Sequence, residues 1–226
     1  MRPIARIVSP FDEKFGTPRQ SGLVDTLSEI HFEEEFWTSD ALRGLEGFDY
    51  IWLIWDFSLN KDNDFHPTVR PPRLGGNERM GVFATRSPYR PNPVGLSSVR
   101  IDHIDFEKCV IYVLGADLVN GTPIYDIKPY IAYTDSHPEA RSGFTDTREW
   151  ERLTVTNPEG LDEELLTVLS LDPRPQYHND PEKVYGLTFR GHNIRFKVNG
   201  EELTVLATDI SQAKNKEERE EVISRL

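Results

Sequence analysis

The chain has 226 residues, 26 of them basic and 38 acidic, which gives a formal net charge of −12 and a sequence pI near 5.0. Its 37% hydrophobic content, with 12 Phe, 8 Tyr and 4 Trp, excludes a disordered chain and is enough for a core of its own. A single cysteine excludes an internal disulfide and a multi-thiolate metal site, and the longest apolar run has six residues, far fewer than the roughly 20 of a membrane span. With no secretory signal at the N-terminus, we expect a soluble cytoplasmic protein.

Short apolar bursts broken by Gly and Pro run from residue 4 to about residue 133 and predict β-strands. In chain order they predict a short capped helix at Ser39–Leu45, a buried strand at Tyr50–Trp55 and a second strand at Gly81–Thr85. A hairpin is predicted from Ser98–Ile104 and Lys108–Leu114. Short strands with few helices are typical of an antiparallel sheet or barrel.

A polar, aperiodic stretch over Thr134–Glu149 predicts a linker to a smaller α+β unit. That unit is predicted to hold a helix at Asp162–Leu169 and a hairpin at Ile194–Leu206. A charged tail at Ala213–Leu226 is predicted to be either a helix or a frayed end. The helix has acids in its first turn and is stopped by the sequence Asp172-Pro173-Arg174-Pro175. Asn199-Gly200 is a type I′ turn signal between the two strands.

An arginine-rich segment stands out from the acidic chain. Between Phe65 and Arg100 the only acid is Glu78, and every cation is arginine: Arg70, Arg73, Arg79, Arg86, Arg90 and Arg100. The segment carries +5, so the remainder carries −17. The arginine fork binds phosphate and carboxylate and stacks on bases, which favours an anion or nucleotide site. The alternative is a set of solvated charges or salt-bridge partners for the acidic remainder.

Several common catalytic motifs are missing. The sequence has no G-x-G-x-x-G, no Walker-type loop, no His-Glu-x-x-His and no G-x-S-x-G elbow. Its six histidines are far apart in sequence, and Cys109 falls in a predicted strand, where a buried, inert thiol is expected. We therefore expect chemistry without a metal, or binding without chemistry.

The most constrained segment runs from Gly81 to Ser97. Pro88, Pro91 and Pro93 fix three φ angles and hold Asn92 extended between two prolines. A rigid loop displaying arginines has less entropy to lose when it orders around a polar, partly anionic small molecule. The alternative is a stiff connector with no ligand.

Four blocks of sequence, in this order, resemble the TsaA-like, TrmO-type tRNA methyltransferases. The blocks are Pro18–Gly22, Pro67–Gly76, Gly81–Ser97 and Asn120–Tyr130, with a weaker match at Asp172–Tyr177. The resemblance implies an S-adenosylmethionine-dependent enzyme that methylates N6 of threonylcarbamoyl-adenosine at position 37 of tRNA. It also implies a homodimer, a closed antiparallel β-barrel over residues 1–135 and a smaller α+β domain over residues 150–226.

Carried over by position, the resemblance implies these cofactor contacts: Pro18, Arg19, Gln20, Ser58, Leu59, Arg86, Leu96, Asn120, Gly121, Thr122 and Pro123. The family commonly has His where Ser58 stands and Asp where Asn120 stands. Both replacements keep hydrogen-bonding ability, so we expect altered affinity rather than lost function.

Methylation of a urea-like N6 requires a group that accepts its proton. Asp126, Lys128 and Tyr130 lie at alternate positions of one extended segment and are the catalytic candidates, although Asp126 and Lys128 can equally form a structural ion pair.

For the anticodon stem-loop of tRNA, the charge map predicts phosphate contacts from Arg70, Arg73 and Arg79, with Arg86 and Arg90 nearer the cofactor or the modified base. A second tRNA surface is predicted at Arg174, Tyr177, Arg195 and Lys197. The alternatives are a non-catalytic S-adenosylmethionine-binding regulatory module and a methyltransferase for another acceptor.

Overall fold

A computed structural model describes residues 1–60, 65–147, 151–156, 161–175, 178 and 180–208. The described strands are β1 (Ala5–Val8), β2 (Leu27–Phe32), β3 (Tyr50–Asp56), β4 (Thr68–Val69), β5 (Met80–Gly81), β6 (Val94–Asp105), β7 (Val110–Leu114), β8 (Pro123–Pro129), β9 (Thr154–Thr156), β10 (Tyr185–Phe189), β11 (His192–Asn199) and β12 (Glu202–Thr208). The described helices are α1 (Ala132–Asp135), α2 (Glu163–Ser170) and the 3-10 helices Glu34–Phe36, Ser39–Leu42, Leu45–Gly47, Pro72–Leu74, Val82–Ala84 and Gly143–Thr145.

Six antiparallel strands close into a barrel in the order β1-β2-β7-β6-β3-β8. Side chains alternate along each strand, so in β3 Ile51, Leu53 and Trp55 point inward and are buried. They meet inward residues of the other strands, such as Ile7 and Ile124, in one core. The mainly β class, the closed antiparallel barrel, the buried strand at 50–55 and the β6–β7 hairpin are confirmed.

The C-terminal unit is a four-stranded sheet in the order β10-β11-β12-β9, in which β9 runs parallel to β12. Helix α2 buries Leu165, Val168 and Leu169 in the core of this unit. Its N-cap is Asp162, whose carboxylate accepts a hydrogen bond from Leu165 N at 2.7 Å. The helix ends at Ser170, ahead of the Asp-Pro-Arg-Pro sequence as predicted.

The segment between β1 and β2 joins the barrel to the C-terminal unit. Phe11 and Val24 are buried in the core of the C-terminal unit, and Phe15 packs against it. The Phe11 ring lies 5.9 Å from the Phe189 ring, and Arg190 N donates to Pro10 O at 2.8 Å. Residues 10–24 therefore form a strap that belongs by sequence to the first unit and by packing to the second.

The strand predicted over Gly81–Thr85 is wrong. Only Met80 and Gly81 pair, with Val69 and Thr68, and the chain then turns into a 3-10 helix over Val82–Ala84. Val82 N donates to Pro67 O, and the turn buries Val82 while Phe83 is 71% exposed, so only one side chain of the apolar burst faces inward.

Two further local predictions shift. The helix expected at Ser39–Leu45 is a 3-10 turn over Ser39–Leu42 that ends where Arg43 takes an extended ψ of 123°. Leu45 begins a second 3-10 turn after Gly44, whose φ of 89° is left-handed. Asn199 pairs with Glu202, so the C-terminal hairpin turns through Gly200 and Glu201, one residue later than expected and with positive φ at Gly200 but not at Glu201.

Cys109 is buried as expected, but it lies in the turn before β7 with φ 50°, not within the strand. The tail at Ala213–Leu226 lies outside the described residues. None of the helices in the described ranges is long and apolar enough to cross a membrane. The same ranges hold no group of three or more His, Cys, Asp or Glu side chains placed to bind a metal ion.

Candidate cofactor site

One end of the barrel brings most of the predicted cofactor residues together. Here β3 ends while β6 and β8 begin, and Trp55 pairs with Gly95 on one side and with Ile124 on the other. Ile124 in turn pairs with Ala5 of β1. Among the predicted cofactor residues, Leu96 and Pro123 are next to this row in the chain, and Ser58 and Leu59 follow shortly after the end of β3 at Asp56.

The turn into β8, residues 120–123, is tied to β1. Gly121 has φ 76° and its N–H donates to Ile7 O at 2.8 Å, while Thr122 is buried and its hydroxyl donates to Val119 O at 2.6 Å. The amide oxygen of Asn120 accepts from Ser9 N at 3.3 Å. An amide oxygen can therefore hold this turn, as a carboxylate oxygen would.

The segment Pro18–Gln20 is held from two directions. Arg86 donates to Gln20 Oε1, so these two predicted cofactor residues meet. Arg19 turns the other way, and its Nη2 donates to the carbonyl oxygens of Asp172 at 3.1 Å and Arg174 at 3.2 Å. Part of Arg19 remains on the surface, but desolvation of its guanidinium lowers its pKa to about 10, so it stays protonated at neutral pH. The guanidinium of Arg19 links the cofactor segment to the C-terminal unit.

Arg174, which is predicted to belong to a second tRNA surface, is mostly buried in an ion pair. Its Nε lies 2.9 and 3.1 Å from the two carboxylate oxygens of Asp172, and both side chains are 11% exposed. Lys197 pairs with Glu182 at 2.8 Å, and Arg195 is exposed. Tyr177 lies outside the described residues.

Asp117 is a site residue that sequence reasoning missed. Trp55 Nε1 donates to Ser97 Oγ at 2.9 Å, and Ser97 Oγ donates to Asp117 Oδ1 at 2.6 Å. Burial raises the pKa of Asp117, while the bond from Ser97, backbone N–H groups including that of Ser21, and the charge of Arg86 act to lower it. Asp117 thus lies between three predicted cofactor segments. No spacing in the sequence marks Asp117, because its contacts with Ser97 and Ser21 form only in the folded chain.

Apolar side chains are exposed beside these polar groups. Leu59 is 47% exposed and Leu96 55%, and Lys14 Nζ donates to Leu59 O at 2.8 Å. A polar cradle of Arg86, Gln20 and Asp117, at the end of the barrel where Leu59 and Leu96 are exposed, matches a ligand with a purine ring and a charged amino-acid tail. The residues present therefore fit S-adenosylmethionine.

Of the three catalytic candidates, Asp126 and Lys128 lie in β8, and Tyr130 follows directly after its last residue. Asp126 pairs with Ile54, which pairs with Leu96, so Asp126 and Leu96 are two strands apart, or about 10 Å. Lys128 Nζ lies 2.9 Å from Asp126 Oδ2, so the ion pair offered as the alternative is present. The Tyr130 ring lies 5.6 Å from the Trp52 ring, in a separate aromatic cluster.

The arginines of the segment from Phe65 to Arg100 have different surroundings. Arg90 Nη1 donates to Val82 O at 3.0 Å and to Thr85 O at 2.7 Å, which braces the loop. Arg79 donates to Thr68 Oγ1 at 3.0 Å, and Arg100 is 3.4 Å from Asp25 in an exposed pair. The Nε of Arg73 is buried and has no hydrogen-bond partner among the described residues.

Comparison with known proteins agrees with this architecture. The family models for the tRNA-methyltransferase O N-terminal domain and the TrmO C-terminal domain match residues 6–136 and 145–211. A tRNA (adenine(37)-N6)-methyltransferase of Escherichia coli K12 is 40% identical over 225 residues, 91% of this chain and 96% of the relative. A probable S-adenosyl-L-methionine-binding protein of Pyrococcus abyssi is 37% identical over 144 residues, 63% of this chain and 74% of the relative.

Among solved structures, a crystal structure of TrmO from Pseudomonas aeruginosa superposes with a TM-score of 0.74 at 29% identity. The match covers 91% of this chain and 96% of that one. Both units of the fold are thus accounted for by one family, and the chain belongs to the TrmO family.

Proposed function

We propose that this protein transfers a methyl group from S-adenosylmethionine to N6 of threonylcarbamoyl-adenosine at position 37 of tRNA. Membership of the TrmO family, whose relatives include a tRNA (adenine(37)-N6)-methyltransferase, supports the reaction. The single observation that carries the assignment to this chain is the meeting of Gln20, Arg86 and Asp117 beside Leu59 and Leu96 at one end of the barrel.

When bound, S-adenosylmethionine supplies a methyl group on a sulfonium, and the sulfur keeps the electron pair of the broken bond and becomes a thioether. Arg86, Gln20 and Asp117 would hold the polar tail of the cofactor, and Leu59 and Leu96 would cover its apolar surface. The protein's main contribution is alignment, because in-line displacement depends on the position of the acceptor nitrogen. As the new N–CH₃ bond forms, the N6 proton passes to a base.

Asp126, Lys128 and Tyr130 are the groups proposed to assist this proton transfer. Asp126 is nearest in register to Leu96, and Lys128 holds its carboxylate at 2.9 Å. Alanine at Asp126 or Lys128 is expected to slow single-turnover methylation at saturating cofactor by about 100-fold, the lower end for general acid–base catalysis. Unchanged single-turnover rates at all three positions would contradict this part of the proposal.

Arg70, Arg73 and Arg79 are proposed to contact tRNA phosphates. They lie in the segment that carries +5 within a chain of −12, where a polyanion is attracted rather than repelled.

We further propose a cytoplasmic homodimer with domains over residues 1–135 and 150–226. The exposure of Leu59 and Leu96 beside the site supports a subunit contact there, and the separate buried clusters of the barrel and the C-terminal sheet support the two domains. Sedimentation equilibrium tests whether the protein is a dimer, and cell fractionation tests whether it is cytoplasmic. Limited proteolysis tests the domain boundary, and cleavage is expected between residues 135 and 150.

The activity is tested with radiolabelled S-adenosylmethionine and tRNA prepared with or without the threonylcarbamoyl group. Label is expected in the modified tRNA alone, and nucleoside mass spectrometry then identifies methylated threonylcarbamoyl-adenosine. Arg86→Ala is expected to weaken cofactor binding, whereas Arg100→Ala, which removes an exposed pair with Asp25, leaves it unchanged. Cofactor binding without label transfer would instead indicate a non-catalytic binding module. Label in the unmodified tRNA would indicate that the enzyme methylates another acceptor.

A further inference from the structure

Four aromatic side chains lie together on the surface of the arginine-rich segment: Phe65, His66, Phe83 and Tyr89, here called the aromatic shelf. Phe83 is 71% exposed, Phe65 49% and Tyr89 39%. The rings of Phe65 and Phe83 stack with centroids 6.4 Å apart and an interplanar angle of 27°, and those of His66 and Tyr89 stack at 4.7 Å and 7°. Contiguous exposed apolar surface of this kind marks an interaction surface.

The aromatic shelf is preformed. His66 N donates to Tyr89 O at 3.2 Å, which joins its two halves through the backbone. Arg90 Nη1 donates to Val82 O at 3.0 Å, and its guanidinium carbon lies 5.4 Å from the centre of the Phe83 ring. Because the loop is fixed by these bonds and by its prolines, little conformational entropy is lost when a ligand contacts the rings.

Positive charge lies next to the aromatic shelf. Val69 pairs with Met80 in the β4–β5 ladder, so Arg70 and Arg79 occupy the adjoining opposed positions of the same hairpin. Arg79 is held by a 3.0 Å bond to Thr68 Oγ1. Exposed aromatic rings beside arginines are the combination that binds unpaired RNA, since bases stack on the rings while the cations contact phosphates.

We propose that the aromatic shelf stacks unpaired bases of an RNA loop, with Arg70 and Arg79 on the phosphates that flank them. The identity of the RNA as the anticodon loop of tRNA rests on the proposed function. Single-stranded RNA is favoured over an apolar partner because the surrounding segment carries +5 while the rest of the chain carries −17.

The test measures binding of a fluorescein-labelled anticodon stem-loop RNA by anisotropy, with a duplex of the stem alone as the second probe. Phe83→Ala is expected to weaken loop binding by about 5- to 100-fold, the range for loss of one stacked base, and to leave duplex binding unchanged. Phe83→Leu keeps an apolar side chain and is expected to remain weak, whereas Phe83→Trp is expected to restore affinity. Arg79→Ala lowers the salt slope by about one unit, which Phe83→Ala does not.

Tyr133→Ala is the matched control, because Tyr133 is 91% exposed on helix α1 and lies outside the aromatic shelf. The proposal is overturned if Phe83→Ala binds the loop as the wild type does, if Phe83→Leu is fully active, or if Phe83→Ala dissociates a dimer and so shows that a second copy covers the rings. If the wild type methylates tRNA and Phe83→Ala binds the loop with normal affinity, only the inference about the aromatic shelf is overturned. A wild type that neither binds nor methylates tRNA overturns the proposed function as well.

Discussion

Gly95 is the position where a single added carbon is expected to disturb the site most. A Cβ built on Gly95 would meet Trp55 Cδ2 at 2.5 Å and the Cε2 and Cζ2 atoms closer still. Trp55 is 7% exposed and is anchored by its 2.9 Å bond to Ser97, so its ring cannot swing into solvent. Gly95→Ala therefore forces either the indole or strand β6 to shift, next to Leu96 and the Ser97–Asp117 pair.

The magnitude follows from two contributions. Overpacking a tight core destabilises by about 1–3 kcal/mol, and loss of the indole hydrogen bond adds roughly 1 kcal/mol. The free energy of unfolding should fall by about 2–4 kcal/mol in urea titrations, and Tm by about 4–16 °C for a chain of this size. Gly47→Ala is the control, since nothing lies within 4 Å of its built Cβ and its φ is not left-handed.

A cycle with Trp55→Leu isolates the clash. Removing the indole vacates the space that the new methyl group needs, so Gly95→Ala should be nearly neutral in the Trp55→Leu background. The reasoning is refuted if Gly95→Ala unfolds at the wild-type urea concentration, or if its cost is the same with and without the indole.

Three other variants follow from the contacts described above. Arg174→Ala leaves the Asp172 carboxylate buried without its partner and is expected to lower the free energy of unfolding by about 3–5 kcal/mol in urea; a loss below about 1 kcal/mol would contradict a buried pair. Asp162→Ala removes the N-cap of α2 and should lower it by about 0.5–2 kcal/mol, with Glu163→Ala as the neighbouring control. Burial raises the pKa of Asp117 in the folded protein above its value in the unfolded chain. The wild type therefore has the full stability contributed by the protonated carboxyl below the unfolded-state pKa, and loses it as the pH rises through the folded-state pKa. Asp117→Asn does not titrate, so its Tm should rise relative to that of the wild type as the pH increases from about 4 to 7. A difference in Tm that stays flat or reverses over that range would show that the pKa is not raised.

The barrel was predictable because its strands carry strong local signals. Tyr50–Trp55, Ser98–Ile104 and Lys108–Leu114 alternate or are apolar enough to specify strands, and all three form. Strand β6 begins at Val94, four residues earlier than predicted, and β7 begins at Val110, two residues later. The segment Gly81–Thr85 carries the same apolar signal but is a 3-10 turn held by a bond from Val82 N to Pro67 O, which buries Val82 and exposes Phe83. Periodicity alone does not distinguish an apolar burst that enters a core from one that forms an exposed surface.

The site was predictable only in part. Family blocks located Gln20, Arg86 and Leu96, which the fold brings to one end of the barrel. They could not show that Arg19 turns toward the C-terminal unit, since its partners are backbone carbonyls more than 150 residues away in sequence. Asp117 was missed because its role arises from a chain of hydrogen bonds through Ser97 that no sequence spacing encodes.

The strap at residues 10–24 has a consequence for how such a chain can be shortened during evolution. Phe11, Phe15 and Val24 complete the hydrophobic core of a sheet that begins more than 100 residues later. A gene truncated after the barrel would leave these three side chains facing water, and the detached C-terminal piece would lack part of its interior. Homologues that keep only the barrel must therefore have recoded this short stretch, so its polarity should reveal from sequence alone whether a relative ever carried the second unit.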